Sequence, residues 1–247
     1  MSDGEDRLFA DGTAAPGSFR FDARVAGVFD DMIRRSVPGY AATVSLSGWL
    51  AARFAQPGTA CYDLGCSLGA TLLACAEGLR KRGVEGVELI GVDASGSMVE
   101  RARQRLGPAI GGRAPRLIEA DVRSVALESA SVVILNWTLQ FLPLEDRVSL
   151  LERVFAALTP AGVLILSEKV VEDDAVADAL LRQLHEDFKR SQGYSELEIA
   201  AKRSALEAVL VPETCSNHIQ RLRSIGFTPV IVCQRQLNFA SFLAVKP

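Results

Sequence analysis

Between Asp22 and Pro38 the apolar residues Val25, Val28, Phe29, Met32 and Ile33 recur every three or four positions, the spacing that lines one face of a helix. Pro38-Gly39 ends that helix, and a second helical stretch, about 41–55, stops at Pro57-Gly58. The period then changes. Residues 59–64 form a short apolar run that enters Asp63-Leu-Gly-Cys-Ser-Leu-Gly69, followed by a helical stretch to about Arg82. The same unit recurs. Residues 87–92 read as a strand ending at Asp93, ahead of a helix around Met98 and Ala102. Residues 116–120 end at Asp121, and residues 131–135 end at Asn136. A helix over about 144–158, the turn Thr159-Pro-Ala-Gly162 and a strand at 163–167 complete the series. Apolar strands alternating with helices predict a parallel sheet covered by helices on both sides. Such sheets build ligand sites at the carboxyl ends of their strands, which here carry Asp63, Asp93, Asp121 and Asn136.

After Ser167 the alternation breaks. Residues 173–210 read as two helices separated by Gly193, and a further helix ends at Gly226. Strands at about 228–233 and 238–245 lie close enough in sequence to form an antiparallel hairpin. This order resembles the class I S-adenosylmethionine (SAM)-dependent methyltransferase fold. That is a Rossmann-like α/β fold, its seven-stranded, mostly parallel sheet finished by an antiparallel C-terminal hairpin. The expected organisation is a single SAM-binding domain over residues 1–247, with residues 1–20 poorly ordered and residues 170–212 a helical insertion near the site.

Composition narrows the function classes. With 27 Lys and Arg against 30 Asp and Glu, the net charge is −3, which argues against a protein that grips a phosphate backbone directly. The first 20 residues hold Asp3, Glu5 and Asp6 and no apolar run, so no secretory signal is expected. The longest apolar stretch, 131–142, is short for a membrane span and is broken by Asn136 and Gln140. Five cysteines (61, 66, 75, 215 and 233) include no CxxC pair, which suits neither a disulfide framework nor a zinc site. A reduced, cytoplasmic protein is expected. His185 and His218 have no partner at metal-ligand spacing, so no metal is expected either. His218 is placed at the surface, and His185 is read as a structural or exposed helix residue.

The glycine loop carries the first chemical signal. Gly65 follows the first strand, where a side chain would keep a ligand from the backbone and from the next helix N-terminus. The methyltransferase form of this loop is usually Asp/Glu-x-Gly-x-Gly-x-Gly, and Ser67 stands at the middle glycine, with a hydroxyl that suits donation to a ligand. By itself the loop fits an ordinary capped strand-to-helix turn equally well. Asp93 lies 24 residues beyond Gly69, near the spacing at which an acidic residue accepts from both ribose hydroxyls, although a helix N-cap ahead of Ser95 is the alternative. Asp121 is set to accept from an adenine amino group. Together these strand ends point to an adenosine-containing ligand. Asn136-Trp-Thr-Leu-Gln140 stands where amino-group methyltransferases carry Asn/Asp-Pro-Pro-aromatic, which weakens a base-methylating reading. Cys61 and Cys75 read as core residues, and Cys66 has no neighbouring base to activate it. Lys202-Arg203 reads as a solvated face, unless the insertion covers the strand ends and turns Arg203 toward a carboxylate.

Longer segments resemble one family. Arg35-Ser-Val-Pro-Gly-Tyr40, Gln56-Pro-Gly-Thr59, Tyr62-Asp-Leu-Gly-Cys-Ser-Leu-Gly69, Asn136-x-Thr-Leu-Gln-Phe-Leu142, Leu166-Ser-Glu-Lys169 and Asp187-Phe-Lys-Arg-x-x-Gly-Tyr-Ser-Glu-Leu-Glu-Ile199 are similar to carboxy-S-adenosyl-L-methionine (carboxy-SAM) synthases, over about 21–245. The resemblance implies conversion of SAM and prephenate to carboxy-SAM and phenylpyruvate, with release of water. Prephenate loses its ring carboxylate and hydroxide as it aromatises, the hydroxide takes a proton from the SAM methyl group, and the resulting sulfonium ylide traps the carbon dioxide. No protein base is then needed. It also implies a homodimer whose product goes to a separate transfer-RNA uridine carboxymethyltransferase, so this chain need not touch the RNA. The family's ligand positions fall on Tyr40, Gly65, Cys66, Ser67, Asp93, Ala94, Asp121, Val122 and Asn136, with Arg203 meeting the added carboxylate. Ala94 replaces a usual Asn and Val122 a usual Ile. Rival readings are an ordinary small-molecule methyltransferase and a non-catalytic SAM-binding subunit.

Overall fold

In the computed structural model, residues 4–11, 19–109, 114–206 and 209–247 are described. Helix α1 (Ala23–Ser36) starts where the Asp22 carboxylate accepts from the N–H groups of Arg24 and Val25, an N-cap. Helix α2 (Tyr40–Phe54) follows, entered through Gly39 at φ 73°. The alternation then unfolds in order: β1 (Ala60–Leu64), α3 (Ala70–Arg82), β2 (Glu88–Asp93), α4 (Gly96–Ala109), β3 (Arg116–Glu119), β4 (Ala130–Asn136), a 3-10 turn at Leu139–Phe141, α5 (Leu144–Ala157) and β5 (Leu158–Val171). The insertion is α6 (Ala175–Ser191) and α7 (Glu196–Leu206), and the chain closes with β6 (Glu213–Thr214), α8 (Cys215–Ile225), β7 (Val230–Gln236) and β8 (Phe239–Val245).

The sheet runs β3-β2-β1-β4-β5-β8-β7. Strands β1 to β5 pair in parallel, while β8 lies antiparallel between β5 and β7. This path has the seven strands expected; the two-residue β6 adds an eighth, beside Val170 and Val171 of β5. Strand β5 begins earlier than expected. Residues 159–162 stay in it as a bulge, with Ala130 opposite Leu158 but Val132 opposite Val163, and with Ala161 at φ 60°.

Alternate side chains of the strands feed two cores. Val133 and Leu135 face one, with Tyr62, Leu64, Leu150 and Leu222; Val132 and Ile134 face the other, with Cys61, Cys75, Leu72 and Leu50. Helices α2 and α3 press backbone to backbone: a Cβ on Gly48 would lie 2.5 Å from the Ala74 carbonyl oxygen, and one on Gly78 would lie 2.5 Å from that of Gly48. Chain order reverses between β1 and β4, which opens a crevice at their carboxyl ends. A third cluster, with Phe29 and Met32 of α1, Met98 of α4 and Ala205 of α7, roofs it.

Two further sequence expectations differ from the structure. Residues 4–11 pack on α1 rather than trailing: Asp6 is buried, its N–H donates to Asp31 Oδ2 at 2.8 Å, and Gly4 N donates to Gly27 O. The rest of the segment expected to be poorly ordered, apart from Arg20 and the buried Phe19, lies outside the described residues. His218 is not at the surface. It shares a helical stripe with Leu222, one turn on, is 2% exposed and packs 5.3 Å from the Phe242 ring. Neither ring nitrogen has a partner among the described residues, and burial lowers its pKa to about 4.

Candidate active site

The crevice is a cavity of about 320 Å³. Its floor is the strand ends, and its roof is α1 with the inserted α6 and α7. The glycine loop bends through three left-handed residues, Gly65 at φ 85°, Ser67 at φ 49° and Gly69 at φ 81°. Ser67 therefore holds a glycine conformation, which explains why the family pattern has glycine there. A Cβ on Gly65 would lie 2.1 Å from Thr138 Oγ1, so the backbone passes where no side chain fits. The Ser67 hydroxyl, expected to face the ligand, lies 3.5 Å from Met98 Sδ instead.

Asp93 holds the glycine loop and also faces the cavity. Its carboxylate accepts from Ser67 N and Ser95 N, each at 2.9 Å, which ties the loop to the start of α4, and it lines the cavity. Each oxygen keeps a lone pair for a ribose hydroxyl. Burial raises its pKa against the pull of those two N–H groups. Asp63 is more enclosed. Its Oδ2 has no partner among the described residues, and burial, then the charge of Asp93, pushes its pKa to about 8. Both effects favour its protonated form.

Asp121 lines the cavity but is gripped by Arg123, with Nη2 at 2.6 Å from Oδ2, and Arg123 also reaches Asp146 at 2.7 Å. Hydrogen bonding by Arg123 lowers the Asp121 pKa. The Asn136 amide donates to Ser47 Oγ and Thr71 Oγ1, both at 3.2 Å, while its buried Oδ1 has no partner among the described residues. That orphaned acceptor fits an N–H group of a bound ligand. Tyr40, Cys66, Ala94 and Val122 complete the lining; Tyr40 packs on Trp137 at 5.3 Å. Burial raises the Cys66 thiol pKa well above its ordinary range, so it is no nucleophile.

Nine of the ten expected site residues therefore line one cavity, and Arg203 does not. Helix α7 does cover the strand ends, but it turns the neighbouring Lys202 inward. Lys202 Nζ lies 3.2 Å from Asp6 Oδ2 and 2.7 Å from Ser36 Oγ, with the Tyr194 hydroxyl also donating to Asp6. The Arg203 side chain is 69% exposed and pairs with Glu186 at 2.8 Å. Sequence reasoning missed Lys169, Lys189 and the inward face of His185, which all line the cavity. The strand-end rule, applied to Leu166-Ser-Glu-Lys169, finds the first of them. The preceding Glu168 is fully buried and accepts from Leu139 N and Gln140 N at 2.9 and 3.0 Å, which fixes the 3-10 turn in the cavity wall. Burial raises its pKa to about 8. His185 Nε2 donates to Ser36 O at 2.8 Å, and burial lowers its pKa to about 3, so the ring is neutral.

The fold and the ligand crevice at its switch point define a protein of the class I SAM-dependent methyltransferase fold. A methyltransferase-domain profile matches residues 62–164. The crystal structure of magnesium protoporphyrin IX methyltransferase from Synechocystis PCC 6803 with bound SAH superposes with a TM-score of 0.61 over 87% of each chain, at 18% identity. Carboxy-S-adenosyl-L-methionine synthase of Photobacterium profundum is 49% identical over 98% of both chains. The enzyme of that name from Hahella chejuensis is 47% identical over the full length of both. The chain belongs to the carboxy-S-adenosyl-L-methionine synthase family. Among the described residues no helix is long and apolar enough to cross a membrane.

Proposed function

We propose that this protein makes carboxy-SAM and phenylpyruvate from SAM and prephenate, and that its product serves a transfer-RNA uridine carboxymethyltransferase in the cytoplasm. The observation that carries the reading is the shape of the cavity. Beyond the residues suited to SAM it continues to Trp137 and Phe239, which with Tyr40 form an apolar wall that suits a second, cyclic substrate. In this reading Asp93 accepts from the ribose hydroxyls, Asp121 and Val122 hold the adenine, and the Asn136 carbonyl takes an N–H of the amino-acid end. Gly65 lets the ligand approach the backbone.

Two candidate bases in the cavity are ill suited to the proton transfer, which supports the same chemistry. The His185 imidazole is held neutral by burial and spends Nε2 on Ser36, and Cys66 stays a thiol. A reaction whose departing hydroxide removes the proton asks little of either. In this reading the protein is a homodimer, and the exposed Arg203, paired here with Glu186 of its own chain, is placed to be reached by a second copy. Incubation with SAM and prephenate should give phenylpyruvate and a SAM species heavier by one carbon dioxide, resolved by mass spectrometry. Unchanged SAM, or S-adenosylhomocysteine formed on an added acceptor, would overturn the reading.

A further inference from the structure

Three lysines face the cavity, and they are not alike. Lys202 on α7 is neutralised by Asp6. Lys169 at the end of β5 and Lys189 on α6 are half-buried, and neither ammonium has a hydrogen-bond or ion-pair partner among the described residues. Burial disfavours the charge on both, and only carboxylates beyond hydrogen-bond reach offset it, Asp178 and Glu186 for Lys169 and Glu186 for Lys189. Desolvation lowers the pKa of each, and for Lys189 the nearby charges of Lys169 and Lys202 lower it further, to about 7, against a smaller opposing effect of Glu186. Unpaired buried ammonium groups are unfavourable in the ligand-free protein, and an anion is what is missing.

The neighbourhood specifies the kind of anion. His185 lines the cavity with the lysines and meets an apolar wall, its ring edge-on to Phe239 at 5.2 Å. Val37, Tyr40 and Phe239 cluster there, with Trp137 against them. A ligand that satisfies both halves carries a carboxylate beside an apolar ring. We propose that Lys169 and Lys189 form a carboxylate clamp for the acidic co-substrate, gripping the carboxylate that the reaction retains. This rests on the function proposed above and assigns residues to its second substrate.

Chemistry selects which carboxylate is held. An ammonium on the carboxylate that leaves as carbon dioxide would stabilise the ground state and slow its loss. The same ammonium on the 2-oxo acid arm anchors the molecule and leaves the ring carboxylate free. Phenylpyruvate keeps that arm, so it should inhibit competitively with prephenate through the same two lysines.

The test uses Lys169→Met and Lys189→Met in the full chain, with Lys81→Met on the exposed end of α3 as control. Each cavity variant should raise KM for prephenate and the inhibition constant of phenylpyruvate roughly 10- to 100-fold, the loss of one charge-assisted hydrogen bond. SAM affinity, measured by calorimetry without prephenate, should stay within about 3-fold. Thermal stability should hold or rise, because methionine removes an unpaired buried charge; lysines with a merely structural role would lose stability instead. Unchanged prephenate KM and phenylpyruvate inhibition in a wild type that makes carboxy-SAM would overturn the clamp alone. A wild type that makes none from prephenate would overturn the functional reading and the clamp with it.

Discussion

Replacing Asp6 by Asn tests how residues 4–11 are fastened to the roof of the cavity. The Asp6 and Lys202 side chains are 1% and 5% exposed and 3.2 Å apart. Water does not screen the pair. Removing one member of a buried pair typically costs about 3–5 kcal/mol, because the survivor stays unpaired. Two features place this case near the lower bound. Lys202 keeps the Ser36 hydroxyl at 2.7 Å, and burial already lowers its pKa to about 8, so it sheds its proton at modest cost once Asp6 is neutral. A loss of about 3 kcal/mol corresponds to roughly 6–12 °C in Tm for a chain of this size. Lys202→Met should cost a similar amount, by stranding the Asp6 carboxylate. The double variant strands neither, so it should recover about 2 kcal/mol relative to the sum of the singles. Calorimetric melts of the four proteins at pH 7 give the coupling directly. Singles that add to within about 0.5 kcal/mol would show that no buried ion pair holds this segment.

His218 supplies a pH test. Its folded pKa, about 4, lies below the ordinary 6.5, so the unfolded chain takes up a proton first. Stability should therefore fall as pH drops from about 6.5 to about 4, by roughly 3 kcal/mol from this residue. His218→Leu should flatten urea-derived stability over that window, leaving the slope that His185 contributes; parallel curves for the two proteins would refute the assignment. Gly48→Ala sets two effects against each other. Alanine is the better helix former by about 1 kcal/mol, but its Cβ would sit 2.5 Å from the Ala74 carbonyl oxygen. The clash should win and lower stability by up to about 2 kcal/mol net, and a rise in Tm would mean that α2 and α3 have slack.

The parallel sheet was readable because burial on both faces leaves a plain mark, short apolar runs that each end in one polar residue. That mark put Asp93, Asp121 and Asn136 at the right strand ends, and the structure gathers them at one cavity. The bulge at the start of β5 was not readable, because Thr159-Pro-Ala-Gly162 has turn composition and only pairing with β4 keeps it in the sheet. Helix orientation was the harder problem. Lys202 and Arg203 are adjacent in sequence but point about 100° apart on α7, so charge alone cannot choose between them. The stripe does choose. Lys202 follows Ile199 by three positions and precedes Ala205 by three, which places its stem with the buried residues, whereas Arg203 falls outside that row. A lysine within an apolar stripe is a cation aimed inward, and such a cation needs an anion. Asp6, 196 positions away in sequence, answers Lys202. Lys169 and Lys189 have no counterpart among the described residues, and that imbalance can be settled only by what enters the cavity.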